Sequence, residues 1–181
     1  MNILKMKIEL CIVVATLIVA MCLFSDNLKA ELNIDSLIVA RGYYWIGDFK
    51  EGMAPVKKDS IWFFIDKEGK EHLKARGYDL IGDFYEGMAC VKKDSIWFFI
   101  DKKGKEYWKE RQYDNVGDFS EGMAVVTKDG IYFFIDEKGT EYWKERQYDY
   151  VDYFNEGMAV VAKDGKIFYI NKQGEIVKEG E

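Results

Sequence analysis

Apolar residues in this chain fall in short runs separated by turn-forming groups, and the whole pattern returns every 35 residues. In the copy that begins at Tyr78, an alternating stretch, Tyr78–Phe84, is followed by Met88-Ala89-Cys90-Val91-Lys92. Then come Ile96-Trp97-Phe98-Phe99-Ile100-Asp101 and a shorter stretch around Glu106-Tyr107-Trp108. Runs of this length, aromatic and β-branched and bounded by glycine and aspartate, predict strands; an amphipathic helix would need a 3.6-residue period over a longer span. Each copy therefore reads as three strands with a short fourth. In the third strand Ile96, Phe98 and Ile100 point to one face and Trp97, Phe99 and Asp101 to the other. Both faces are apolar over most of their length, so the strand is either covered on both sides or leaves one aromatic face free for a ligand.

Glu-Gly-Met-Ala marks the period, at Glu51, Glu86, Glu121 and Glu156, and the repeats run 43–77, 78–112, 113–147 and 148–181. The second and third agree at 26 of 35 positions. The predicted fold is an all-β tandem array of four antiparallel hairpin or meander units, because a single unit cannot bury both faces of its own strands. Gly52, Gly87, Gly122 and Gly157 stand between the first two strands, where a positive φ is expected. Lys-Asp-Gly at Lys128 and Lys163 predicts a tight hairpin, and Lys-Asp-Ser holds the same place earlier. Asp66, Asp101, Asp136 and Asn171, each three residues before a glycine, predict type I turns that need no calcium. Residues 31–42, with Leu37-Ile38-Val39-Ala40, suit a cap on the first repeat. Pro55 in the second strand of the first repeat predicts an edge or a kink, and Lys166 in the last suits an open end. Both favour an open array; the alternative is a small four-bladed propeller.

Tyr-Asp-x-hydrophobic-Gly-Asp-Phe-x-Glu-Gly-Met-Ala-x-Val, then Lys-Asp-Gly, then Phe-Ile-Asp-x-x-Gly, resembles the bacterial WG (KWG) β-repeat family over nearly all of residues 43–177. The family tryptophan position holds Trp62, Trp97, Tyr132 and Ile167, and its glycine position holds Phe63, Phe98, Phe133 and Phe168. The resemblance implies an all-β repeat protein, often exported or fused to other modules, with no catalytic residues to carry over.

Ahead of the repeats, Lys5 and Lys7 precede fifteen apolar residues, Leu10–Phe24, and a polar stretch that ends at Ala30. A membrane-spanning helix needs roughly 20 such residues. Residues 1–30 therefore read as a secretory signal helix cut after Ala30, with an uncleaved anchor as the alternative and as the chain's one expected contact with a membrane. Met21 before Cys22 argues against a lipoprotein signal. The expected location is secreted, periplasmic or cell-envelope. Cys90 alone remains after cleavage, so no intramolecular disulfide forms, and its counterparts Pro55, Val125 and Val160 mark it as a small buried filler. Without residues 1–30 the chain carries 23 basic and 30 acidic residues, a charge of −7, which excludes a phosphate-backbone surface and therefore a nucleic-acid partner.

No catalytic constellation stands out. His72 is the only histidine and aligns with Tyr107 and Tyr142, an aromatic slot. His72 and Cys90 alone cannot assemble a zinc site. Asp48 with Glu51, Asp83 with Glu86, Asp118 with Glu121 and Asp152 with Glu156 recur in every repeat, whereas a catalytic pair is needed once. No cofactor is expected. The first functional reading is an exported, non-enzymatic scaffold for a protein partner. The alternative is a module for cell-wall glycan that uses Trp62, Trp97, Tyr107, Trp108, Tyr142 and Trp143 as ligand-facing platforms; burial of these rings between repeats would speak against it. A hydrolase comes third.

Overall fold

A computed structural model describes residues 40–180. The expected signal helix, 1–30, and most of the expected cap lie outside the described residues. Each repeat forms its own antiparallel meander of four strands. The first sheet holds β1 (Trp45–Ile46), β2 (Met53–Lys58), β3 (Ile61–Asp66) and β4 (Glu71–His72). The second holds β5 (Leu80–Tyr85), β6 (Met88–Lys93), β7 (Ile96–Asp101) and β8 (Glu106–Tyr107). The third holds β9 (Asn115–Ser120), β10 (Met123–Lys128), β11 (Ile131–Asp136) and β12 (Glu141–Tyr142). The fourth holds β13 (Tyr150–Val151), β14 (Met158–Lys163), β15 (Lys166–Asn171) and β16 (Ile176–Glu179). Short 3-10 turns, η1 (Lys74–Arg76), η2 (Lys109–Arg111) and η3 (Lys144–Arg146), lead from each of the first three sheets to the next.

The turns follow from local chemistry. Glu86 and Gly87 both take positive φ, 52° and 80°, as a type I′ hairpin demands, and Asp129-Gly130 does the same at 53° and 76°. Asp101 Oδ1 accepts the amides of Lys103 and Lys105, closing its turn. Asp66, Asp136 and Asn171 accept the equivalent amides, so these side chains are committed to the backbone. The other oxygen of Asp66 holds His72 Nε2 at 2.8 Å, where Asp101 and Asp136 hold the hydroxyls of Tyr107 and Tyr142. His72 thus occupies the tyrosine slot of its repeat.

Pro55 does not sit on an edge. It lies in β2, paired on both sides, and opposite it the pairing steps from Ile46–Val56 to Lys50–Met53 with one extra residue in the first strand. The equivalent bulge interrupts β5–β6 and β9–β10. The carbonyl of Pro55 still accepts from Gly47, and the missing N–H falls at the bulge, where no ladder bond is lost.

Both faces of the third strand are covered in the first three repeats. Neighbours Phe98 and Phe99, which point opposite ways, are both buried, as are Phe63 with Phe64 and Phe133 with Phe134. One face feeds a core with the preceding sheet and the other a core with the following sheet: Phe64 meets Phe84, Phe99 meets Phe119 and Phe134 meets Phe154 at ring-centroid distances of 4.7, 5.1 and 5.0 Å. The extensive contacts between sheets all join consecutive repeats, so the stack is an open array.

Polar contacts repeat at each seam. The carboxylates of Glu51, Glu86 and Glu121 accept the turn amides of Gly87, Gly122 and Gly157 in the next repeat. This explains why Glu-Gly recurs as a unit: the glutamate shapes its own hairpin and holds the next one. Lys102 and Lys172 pair with Glu51 and Glu121 at 3.1 Å; at the middle seam that position holds Glu137. Arg76, Arg111 and Arg146 donate to the carbonyls of Gly104, Gly139 and Gly174 one repeat on. Arg41, from the cap segment, donates in the same way to Gly69. Residues 40–42, Ala-Arg-Gly, therefore do for the first repeat what Ala75-Arg76-Gly77 do for the second.

Among the described residues two buried polar groups are left unsatisfied, Trp62 Nε1 and the Tyr78 hydroxyl, and the second breaks a seam pattern. The hydroxyls of Tyr113 and Tyr148 accept from Arg111 and Arg146, and that of Tyr43 donates to Glu71. Arg76 turns instead to Glu106, and the Tyr78 hydroxyl is buried without a partner. An unpaired buried hydroxyl costs about 1–3 kcal/mol. Tyr78→Phe is expected to leave stability unchanged or raise it by about 1 kcal/mol, whereas Tyr113→Phe lowers it by a similar amount. Urea unfolding of the two variants checks the opposite signs.

Candidate functional site

None of the six aromatics singled out above stands on an open face. Trp62 and Trp97 lie on β3 and β7 with Lys57 and Lys92 over their rings, at 5.2 and 5.6 Å from the centroids. Trp45 closes on Trp62 edge-on at 5.2 Å. Trp108 packs on Phe99 and Phe119, and Trp143 on Phe134 and Phe154. Tyr107 and Tyr142 lean on these tryptophans and bond to turn aspartates. All six are half-buried against the cores, in seams at different points of the stack. Their half-burial speaks for packing between repeats rather than for ligand-facing platforms. Trp108 and Trp143 in particular fill the gaps left by Gly139 and Gly174 of the next repeat.

The open aromatic surface is elsewhere. A cleft of ≈ 630 Å³ lies between the third and fourth repeats, walled by β9, the paired β10–β11 and β13, with Tyr85 of the second repeat at its rim. Tyr132, Tyr150 and Tyr153 contribute rings, and Asp118, Ser120, Thr127 and Asp152 contribute polar groups. Tyr150 and Tyr153 are 48% and 58% exposed, and Tyr132 meets Tyr150 at 6.2 Å. Among the described residues no lysine or arginine lines the cleft.

Asp118 sits on the bulge of β9. Its tip reaches solvent, yet protein crowds it enough that desolvation raises its pKa above the usual carboxylate value, and the charge of Asp83 adds to this. Its one hydrogen-bond donor among the described residues is the buried Cys90 thiol, 3.3 Å away, whose pKa is also raised, first by burial and then by Asp118. A thiol with a raised pKa is a poor nucleophile, so Cys90 fills space and donates weakly. Asp83 is raised likewise, by burial and by Asp48. The glutamates that recur with these aspartates are used in the seams. In the fourth repeat the order changes from Gly-Asp-Phe to Asp152-Tyr153-Phe154, which places Tyr153 where the others carry aspartate. Asp152 Oδ1 accepts the Tyr153 amide.

The family described as WG containing repeat matches residues 36–60, 62–95, 97–130 and 132–166, which is most of the chain. The chain belongs to the WG-repeat family. The matches start at the cap or at the third strand of a sheet and end after the second strand of the next, so one WG repeat supplies strands to two sheets. Neighbouring sheets are thereby joined through the repeat itself as well as through their seams. No curated protein matches the chain. Among solved structures, this WG-repeat chain is similar to Hsv2 of Kluyveromyces lactis (10% identity over 76% of this chain and 50% of that one, TM-score 0.47). It is also similar to the Pan2 WD40 domain of Neurospora crassa (14%, 76% and 49%, TM-score 0.40) and to a protein of unknown function from Bacteroides caccae (12%, 77% and 60%, TM-score 0.33). The chain spans about half the length of the first two.

The WG frame also shows what sequence reasoning missed. Two tyrosines of the cleft are not repeated residues: Tyr85 stands where other repeats hold Lys50, Ser120 or Asn155, and Tyr153 where they hold Asp48, Asp83 or Asp118. Tyr150 and Tyr132 share their positions with Trp45 and with Trp62 and Trp97. A tyrosine that replaces aspartate in the fourth repeat was the signal, and a search for what recurs passes over it.

Proposed function

We propose that this WG-repeat protein is a non-enzymatic interaction scaffold, exported through its first 30 residues, which docks a segment of a protein partner in the cleft between its third and fourth repeats. The observation that carries this is a coincidence of two departures: the repeat pattern breaks at Asp152-Tyr153, and there two exposed tyrosines, Tyr150 and Tyr153, border a cleft. Tyr44 and Trp45 of the first repeat are exposed as well, but they do not line this cleft. Tyrosine offers a large, rigid, amphipathic contact at low entropic cost, and it is enriched at protein interfaces for that reason. The recurring carboxylates serve turns and seams, which supports a non-enzymatic role.

A photo-crosslinking amino acid in place of Tyr153, introduced in the native host, tests the reading. It is expected to capture a discrete protein that the same group at exposed Glu110 does not. Capture of cell-wall glycan instead, or of nothing specific to Tyr153, would overturn it.

A further inference from the structure

The array treats the rings of its third strands in a consistent way until it reaches the cleft. Lys57 pairs in register with Trp62 and lies over its ring; Lys92 does the same for Trp97. In the third repeat the register pair is Thr127 and Tyr132, and both line the cleft. Other half-exposed rings are covered too: Lys105 lies 4.4 Å from the centroid of Tyr107, and Lys178 lies 4.1 Å from that of Tyr169. Among the described residues no cation covers Tyr132, Tyr150 or Tyr153. The same cleft holds two carboxylates, Asp118 and Asp152, and among the described residues no basic side chain. The Asp118 carboxylate, which can accept several hydrogen bonds, receives only a thiol, a weak donor.

We infer that the cleft takes the side chain of a lysine or arginine from the partner segment, which occupies the place that Lys57 and Lys92 fill in the earlier repeats. This rests on the proposed docking function and names the chemistry of what docks. The aliphatic stem of such a residue lies along the faces of Tyr132 and Tyr150, as the lysines of the chain lie along Trp62 and Trp97. Its cationic head meets the tyrosine faces and the carboxylates of Asp118 and Asp152, and an aromatic face and a carboxylate both favour a cation over a neutral group. The cleft is larger than one side chain, which leaves room for the flanking residues of the segment. The negative charge of the chain draws a basic segment toward it.

The test uses the whole protein and fluorescent heptapeptides of glycine and serine with one central lysine, arginine, norleucine or glutamate, read by anisotropy. Lysine and arginine peptides are expected to bind at least tenfold more tightly than the norleucine peptide, which has the stem without the charge, and more weakly as salt rises. Thr127→Lys restores the internal cation and is expected to abolish the preference while the thermal midpoint is retained. Asp152→Asn is expected to reduce it several-fold. Equal binding of the norleucine peptide, or a preference unchanged in Thr127→Lys, overturns the inference. The two failures are distinguishable. A protein captured at Tyr153 with equal yield in wild type and Thr127→Lys sinks the cationic side chain and leaves the docking site standing. Saturable binding of chito-oligosaccharide at Tyr153, with no protein adduct, sinks both.

Discussion

Gly139→Ala is expected to cost the array about 2–5 kcal/mol, and Gly130→Ala only about 1–2. The two glycines share a backbone conformation, with φ of 79° and 76°, so each substitution pays the left-handed penalty of about 1–2 kcal/mol. They differ in what surrounds them. Nothing lies within 4 Å of a methyl group built at Gly130, whereas at Gly139 that methyl falls 2.2 Å from Trp108 Nε1 and 2.5 Å from Cε2. The indole cannot step aside, because Phe99 and Phe119 hold its other surfaces at 5.6 and 6.3 Å. Forcing an extra methyl into such a fit adds about 1–3 kcal/mol. Chemical denaturation of both variants separates the terms: the difference between them is the seam, and what they share is the hairpin. Equal losses would mean that Trp108 is free to move, and the seam would then be looser than its geometry indicates.

The turn glycines could be read from the sequence because φ > 0 is a local demand that composition announces. The strands, the period and the number of repeats were legible for the same reason: alternation, run length and turn residues are properties of neighbours in the chain. Pro55 was misread because a bulge in the facing strand, which no local pattern records, removes the need for its amide. Packing of the tryptophans between repeats could be expected from the sequence, but their partners could not be read from it. Trp108 faces Gly139 and Trp143 faces Gly174, each across 31 residues, and the sequence shows that both partners recur without showing that they touch. The cleft was hidden by the opposite problem. A repeat protein is read through what its copies share, and a site used once resides in what one copy changes: Thr127 for the lysine of the first two repeats, Asp152-Tyr153 for Gly-Asp.

Trp143→Ala is expected to detach the fourth repeat before it unfolds the rest. Truncation of a buried tryptophan costs about 3–5 kcal/mol, and half-burial places this one at the lower end. What is lost is the contact with Phe134 inside the third sheet and with Phe154 and Gly174 in the fourth, so the cost falls on one seam. In a stacked array each repeat is held by its neighbours, and among the described residues the fourth has a neighbouring repeat on one side. Where the second and third repeats carry Trp108 and Trp143 the fourth carries Lys178, and where the earlier repeats carry phenylalanine it carries Tyr169, so there a lysine lies over a tyrosine, at 4.1 Å. With Trp143 removed, the fourth repeat retains the Glu121–Gly157 and Arg146–Gly174 hydrogen bonds. With the Lys172–Glu121 pair and the Ser120–Phe154 hydrogen bond, these are too few to hold an otherwise weakened core. Hydrogen exchange should therefore show amides of β14 and β15 losing protection while those of β6 and β7 keep theirs, with a second, lower transition in thermal unfolding. Because the cleft needs both β9 and β13, the same variant should lose partner capture at Tyr153 in step with that lower transition. Uniform loss of protection across all four sheets would mean that the array unfolds as one unit, and that the seams are stronger couplings than their separate contacts suggest.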